Sequence, residues 1–270
     1  MKQFLKKDKK FLSTKDYIVS NETYNLYLDL KTKIVWTEIN KQQNLNKYYE
    51  HANYLPHNKK IGLLSNLYKI SQNIMFSYKY KVLQKKLQSS RSILDYGSGD
   101  GQFAGYLQKK NIYVHTYDPI IKNQNKMQLT NNQYDMIMLW HVLEHILDIQ
   151  AGIFALRKKL KKSGVIVVAV PNRDSYDSKV YKKYWAAWDV PRHLYHFNHI
   201  SLIDFMKNNG FSLISKHPLF LDSYYISYLS SKNKNSFFPW INSLIIGTIS
   251  NILGAITSKY SSSFYVFEKD

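Results

Sequence analysis

Histidine and acidic side chains carry most of the chemistry this chain can do, because it contains no cysteine. Disulfides, a thiol nucleophile and cysteine-based zinc sites are thereby excluded. His141 and His145 flank the end of an apolar run, YDMIMLW, and His193, His196 and His199 follow Pro191. An imidazole titrates near neutral pH, so His141, His145, His193 and His196 are candidates to take a proton from a reacting oxygen or nitrogen. The spacing of His193 and His196 also allows a metal, but no carboxylate or cysteine set completes a site, so no metal is expected. Asp189 and Arg192 lie in the same run, DVPRHLYHF. They could orient a base, bind an anionic acceptor, or pair with each other.

A second constellation is ILDYGSGDGQF, with Gly97, Gly99 and Gly101 and with Asp95 two residues before the first glycine. Glycines in such a turn permit positive φ and let the backbone approach a ligand. The phosphate-cradling dinucleotide fingerprint would need a further glycine at position 102, where Gln102 stands. The next apolar run, IYVHTYDP, ends in Asp118. In a doubly wound sheet, a carboxylate at the end of the second strand can accept both hydroxyls of a ribose. The loop and the carboxylate, in that order and at that separation, point to a nucleoside-bearing ligand.

These residues need elements to hold them. Periodicity predicts strands at 92–96, 112–117, 134–140, 165–170, 213–221 and 263–268. Helices are expected over 60–88, 102–110, 149–161 and 201–209, the last stopped by Gly210. Alternating strands and helices give an α/β fold with a doubly wound, mostly parallel sheet. Residues 1–88 are expected to form an N-terminal extension with a lid helix. That extension reads as irregular and aromatic, with strand-like runs only at Tyr17–Val19 and Ile34–Trp36. Residues 89–270 form the main domain, with a helical insertion at about 222–260.

The motifs ILDYGSGDG, TYDP, YDMIMLWHVLEHILD, VVAVPN and WDVPRHLYHFNHISL together resemble those of the class I S-adenosylmethionine-dependent methyltransferases, and within them the bacterial small-molecule and cell-surface branch. The resemblance covers about residues 90–218. It implies a Rossmann-like fold with a final antiparallel strand, and S-adenosylmethionine as cofactor. It also implies that Asp95, Gly97, Gly99 and Gly101 hold the methionine part and Asp118 the ribose, with Trp140 and His141 close by. Two departures stand out. Only PIIKNQNKMQLTNNQ separates Asp118 from Tyr134, so the carboxylate that often contacts the adenine is missing. Adenine is then expected to rest on apolar side chains and backbone. The cysteine ribbon that relatives often carry at the N-terminus is also absent.

On the acceptor side, Tyr49 and Tyr54 in KYYEHANYLPH resemble an aromatic lid, and Trp188 with Asp189 and Arg192 offers a second set of acceptor contacts. The expected activity is methyl transfer to an oxygen or nitrogen of a small molecule, with lipid-linked and cell-envelope acceptors in view. The rivals are an RNA methyltransferase and a cofactor-binding protein without catalysis. The formal charge is +19, yet only Arg91, Arg157, Arg173 and Arg192 are arginines and the lysines are dispersed. A solvated lysine surface explains that better than nucleic-acid binding. The N-terminal segment has no apolar stretch of a secretory signal, so a cytoplasmic location is expected. Residues 235–258 contain no charge and carry an apolar and a small, polar stripe at helical period. This segment is read as a cap, a dimer helix, or a peripheral contact with the inner face of a membrane.

Overall fold

The structure is a computed structural model, and it describes residues 5–40, 45–49, 63–119 and 133–270. The chain opens with three antiparallel strands, β1 (Lys9–Lys15), β2 (Thr23–Leu28) and β3 (Val35–Thr37). The expectation of an irregular extension is therefore corrected. Tyr17–Val19 is a turn, because the Asp16 carboxylate accepts the backbone N–H groups of Ile18, Val19 and Ser20. Ile34–Trp36 falls at the start of β3.

A short helix, α1 (Asn46–Tyr49), and a long one, α2 (Leu63–Ser89), lead into the main sheet. There β4 (Ile93–Tyr96), α3 (Gln102–Gln108), β5 (His115–Tyr117), β6 (Tyr134–Trp140), α4 (Ile149–Lys159) and β7 (Leu160–Pro171) alternate as the sequence predicts. After β7 come α5 (Tyr176–Tyr181), the two-residue β8 (Tyr195–His196), α6 (His199–Asn208) and β9 (Phe211–Pro218). Helices α7 (Asp222–Asn233) and α8 (Pro239–Thr257) stand between β9 and the last strand, β10 (Ser262–Lys269). The six-stranded sheet has the order β5-β4-β6-β7-β10-β9. Strands β5, β4, β6 and β7 run parallel, and β10 pairs antiparallel with both neighbours. Strand β8 leaves this sheet and completes the N-terminal one, where Val35 faces His196.

Strand β6 is buried on both faces, as its unbroken apolar run requires. Ile137 and Leu139 pack with Ile153, Leu156 and Leu202 on the side of α4 and α6. Met136 and Met138 pack with Leu83, Leu87 and Leu107 on the side of α2 and α3. The period-2 alternation thus divides one strand between two cores.

Helix α8 turns its small residues inward. Ser243, Gly247, Ser250 and Gly254 are buried. A Cβ on Gly247 would lie 2.6 Å from the Tyr224 ring, and one on Gly254 would lie 2.6 Å from Tyr260. Ser243 Oγ donates to the Tyr224 carbonyl on α7. Below this face sits buried Asp177, which accepts from Trp185 Nε1, Ser250 Oγ and Ser261 Oγ, each at 2.7 Å. One carboxylate therefore ties α5, α8 and the start of β10 together. Asp177→Ala should strand three buried donors and cost about 3 kcal/mol or more. Urea unfolding should show a lower midpoint at unchanged slope.

Candidate functional site

A cleft of about 1830 Å³ opens at the C-terminal ends of β4, β5 and β6, roofed by α2, α7 and the segment before β8. This is where open parallel sheets bind ligands. The glycine loop forms its floor. Gly97, Gly99 and Gly101 have φ of 76°, 55° and 73°. A Cβ on Gly97 would collide with the methyl groups of Val142, whereas nothing stands within 4 Å of the position a Gly99 Cβ would take. Gly97 is therefore demanded by packing, and Gly99 leaves its backbone open to the cleft. Gly99 N–H donates to Asp118 Oδ2 at 2.8 Å, and Gly97 N–H donates to the Tyr117 carbonyl at 2.6 Å. The loop and Asp118, paired by order in the sequence, are joined by hydrogen bonds in the fold.

Behind the loop lies buried Asp95. Burial raises its carboxyl to about 7, with the nearby Lys79 charge opposing the shift and Asp118 adding to it. Lys79 is lowered to about 8 by burial, against the charges of Asp222 and Asp95. Its Nζ stands 3.9 Å from the centroid of the Trp140 ring and 5.5 Å from that of Phe103. Sequence reasoning missed Lys79, although a signal was present. Met75, Lys79, Leu83 and Leu87 recur at four-residue steps, and all except the lysine belong to the core. A cation in a buried helical row is a candidate ligand contact.

The opposite wall carries the histidines. His141 has φ 55° at the end of β6. Its Nε2 lies 3.2 Å from Asp222 and its Nδ1 3.4 Å from Glu144. Burial alone would lower its pKa, but bonds to Asp222 and Glu144 raise it to about 9. His141 is therefore an imidazolium at neutral pH, a donor and not a base. His145 is lowered to about 4 by burial and by the His193 charge, against Glu144 and Asp189. Its Nδ1 sits 3.0 Å from both the Arg192 carbonyl and Tyr49 Oη. His193 stacks edge-on against it, ring centroids 4.6 Å apart.

Some expected site residues are used elsewhere. His196 does not line the cleft, because β8 carries it to Thr37, whose Oγ1 is 2.8 Å from its Nε2. Of the alternatives for Asp189 and Arg192, pairing prevails. The Arg192 guanidinium is bonded to Asp189 at 2.7–3.1 Å and to Asp16 at 3.0 Å. Trp188 touches the cleft but donates its Nε1–H to the Lys182 carbonyl and packs on Trp185 and His196. Tyr54 and most of the short stretch between Asp118 and Tyr134 lie outside the described residues.

A family model described as a methyltransferase domain matches residues 68–216. No curated protein matches the chain. Similar solved structures include an S-adenosylmethionine-dependent methyltransferase from Archaeoglobus fulgidus, at 15% identity, covering 74% of this chain and 94% of that one with a TM-score of 0.46. A possible histamine N-methyltransferase from Thermotoga maritima is 14% identical, covering 76% and 96% with a TM-score of 0.48. The 1,6-didemethyltoxoflavin N1-methyltransferase of Burkholderia thailandensis, solved with S-adenosylhomocysteine, is 10% identical, covering 90% and 97% with a TM-score of 0.45.

Two outcomes follow for cofactor binding measured by calorimetry. Asp118→Ala should weaken S-adenosylhomocysteine binding ~10-fold or more, since an acceptor of charge-assisted hydrogen bonds is lost. Asp95 is anionic above about pH 7 and neutral below it. If it faces the cofactor ammonium, the advantage of wild type over Asp95→Asn should grow from pH 6 to pH 8. A ratio independent of pH would remove Asp95 from the binding set.

Proposed function

Because this chain belongs to the class I S-adenosylmethionine-dependent methyltransferases, we propose that it methylates an oxygen or nitrogen of a small, lipid-linked acceptor at a membrane surface. The residues of the cleft suit the cofactor. Gly99 exposes backbone to the cleft, Asp118 would hold the ribose hydroxyls, and Asp95 and Lys79 offer opposite charges to an amino-acid end. When bound, the cofactor supplies a methyl group on a sulfonium. The chain must then align the acceptor and exclude water. His141 is held as a donor by Asp222 and Glu144, while His196 stands outside the cleft. Glu144, His145 and His193 remain as the polar wall for the acceptor.

The observation that carries the acceptor reading is the orientation of α8. Its small face is packed on protein, and its apolar face is in solvent. Trp240, Ile241, Leu244, Ile245, Ile252 and Ile256 are all exposed, Ile256 at 75%, and Phe237 just before the helix is 95% exposed. A surface helix ordinarily does the reverse, and an uncovered apolar patch marks an interaction site. Residues 235–258 carry no charge, while Lys232 and Lys234 stand at one end of the helix and Lys216 and Lys259 at the other. Each lysine near an anionic bilayer adds about 1 kcal/mol of attraction. By length and composition α8 could also cross a membrane. Its inward Ser250, bonded to buried Asp177, favours a helix lying in the interface plane. The neighbouring helix α7 contributes Asp222, Tyr225, Ile226 and Lys232 to the cleft. An acceptor arriving from the membrane would therefore enter beside α7.

Vesicle co-sedimentation tests this reading. Wild type should pellet with anionic vesicles and much less with zwitterionic ones. Ile245→Asp combined with Ile252→Asp should stay in the supernatant while still binding S-adenosylhomocysteine. A wild type that ignores anionic vesicles at low salt, yet sediments as a dimer that the double variant dissociates, would replace the membrane with a second copy of the chain.

A further inference from the structure

Glu144 is 1% exposed, and apart from its long 3.4 Å contact with His141 no donor among the described residues stands at hydrogen-bonding geometry to either carboxylate oxygen. Its nearest partners are His141 Nδ1 at 3.4 Å and His193 Nε2 at 4.0 Å. His141 supplies charge on one side only, and a buried carboxylate otherwise short of donors is costly unless something more completes its surroundings. Two imidazoles face it. His193 Nδ1 is 2.9 Å from the Ala187 carbonyl, and His145 Nδ1 is 3.0 Å from the Arg192 carbonyl. A carbonyl can only accept, so the Ala187 contact places the His193 proton on Nδ1 and leaves its Nε2 with a lone pair; at His145 the same tautomer holds with the Tyr49 hydroxyl, also 3.0 Å from Nδ1, donating to the Arg192 carbonyl at 3.4 Å. Glu144, His145 and His193 each offer a ligating atom within 4.8 Å of the other two.

We propose that Glu144, His145 and His193 bind a divalent transition-metal ion on the acceptor wall of the cleft. Two neutral imidazoles and one carboxylate suit Zn²⁺ or a similar ion, and three protein ligands leave a position open. The Nδ1–H bonds to backbone carbonyls are the outer contacts that orient metal-binding histidines. In a tetrahedral site with bonds of about 2.0 Å, ligand atoms stand roughly 3.3 Å apart. His193 Nε2 and Glu144 Oε1 stand 4.0 Å apart and all three ligand atoms lie within 4.8 Å of one another, so the side chains must draw inward to close on an ion. The cluster escapes the sequence because Glu144 and His145 follow β6 while His193 precedes β8. Resting on the methyltransferase reading above, the open position would hold the acceptor's oxygen or nitrogen facing the cofactor loop.

The test is a Co²⁺ titration of the full-length protein after chelator treatment, without acceptor or membrane. Wild type should take up one equivalent with a visible d–d absorption, displaced by Zn²⁺. Glu144→Gln and His193→Gln should each bind Co²⁺ at least ~10-fold more weakly, while His196→Gln should bind as wild type does. Retained S-adenosylhomocysteine binding certifies the fold of each variant, and if one variant does not fold the other decides. Failure to saturate in wild type, or unchanged affinity in a folded Glu144→Gln or His193→Gln, would overturn the proposal. Glu144 would then be only the ion-pair partner of His141. The cofactor and membrane measurements stand apart from this result, so its failure would leave the methyltransferase reading intact.

Discussion

The buried guanidinium of Arg192 is the contact on which the histidine wall of the cleft depends. It is 1% exposed and lies between Asp189 and Asp16. Asp16 belongs to the turn between β1 and β2, so the ion pair fastens the N-terminal sheet to the segment before β8. Removing one member of such a cluster leaves an uncompensated buried charge, which costs several kcal/mol. The consequences reach the site through the backbone. The Arg192 carbonyl and the Tyr49 hydroxyl both lie 3.0 Å from His145 Nδ1, and the residue after Arg192, His193, donates to Ala187. An arginine that looks suited to bind an acceptor serves to hold the segment whose histidine lines the cleft.

The cofactor half rests on a different constraint, the geometry of the parallel sheet. Strands β4 and β5 bring the glycine loop and Asp118 to adjacent sheet ends, and Gly97 must lack a side chain for Val142 to pack there. This half was legible because its signals are local. The double burial of β6 appears as an unbroken apolar run, and the loop appears as three glycines in five residues. The antiparallel pairing of the last strand is what the family resemblance implied, not the strand–helix alternation.

What the sequence hid is non-local. Strand β1 reads KKFLSTK, whose lysines look like a solvated segment, and its sheet is completed by β8 from far along the chain. His196 looks equivalent to His193, but β8 pairing turns it towards Thr37. Glu144 looks like one more helix-start acid until the fold sets His193 against it. In α8 both stripes are visible in the sequence, but which one faces inward depends on partners elsewhere. Tyr224, Tyr260 and Asp177 are fitted to glycine and serine and not to isoleucine. The apolar stripe is therefore left in solvent, beside the helix that lines the cleft.

We propose that this cleft delivers a methyl group to an acceptor reached from a membrane. The most direct measurement supplies S-adenosylmethionine labelled on its methyl group to the purified protein, together with membrane extract and soluble metabolites of the source organism. The products are then partitioned between organic and aqueous phases. Label should appear in the organic phase, depend on the enzyme and be abolished in Gly97→Ala. Enzyme-dependent label confined to water-soluble metabolites or to RNA, with the lipid phase unlabelled, would contradict it.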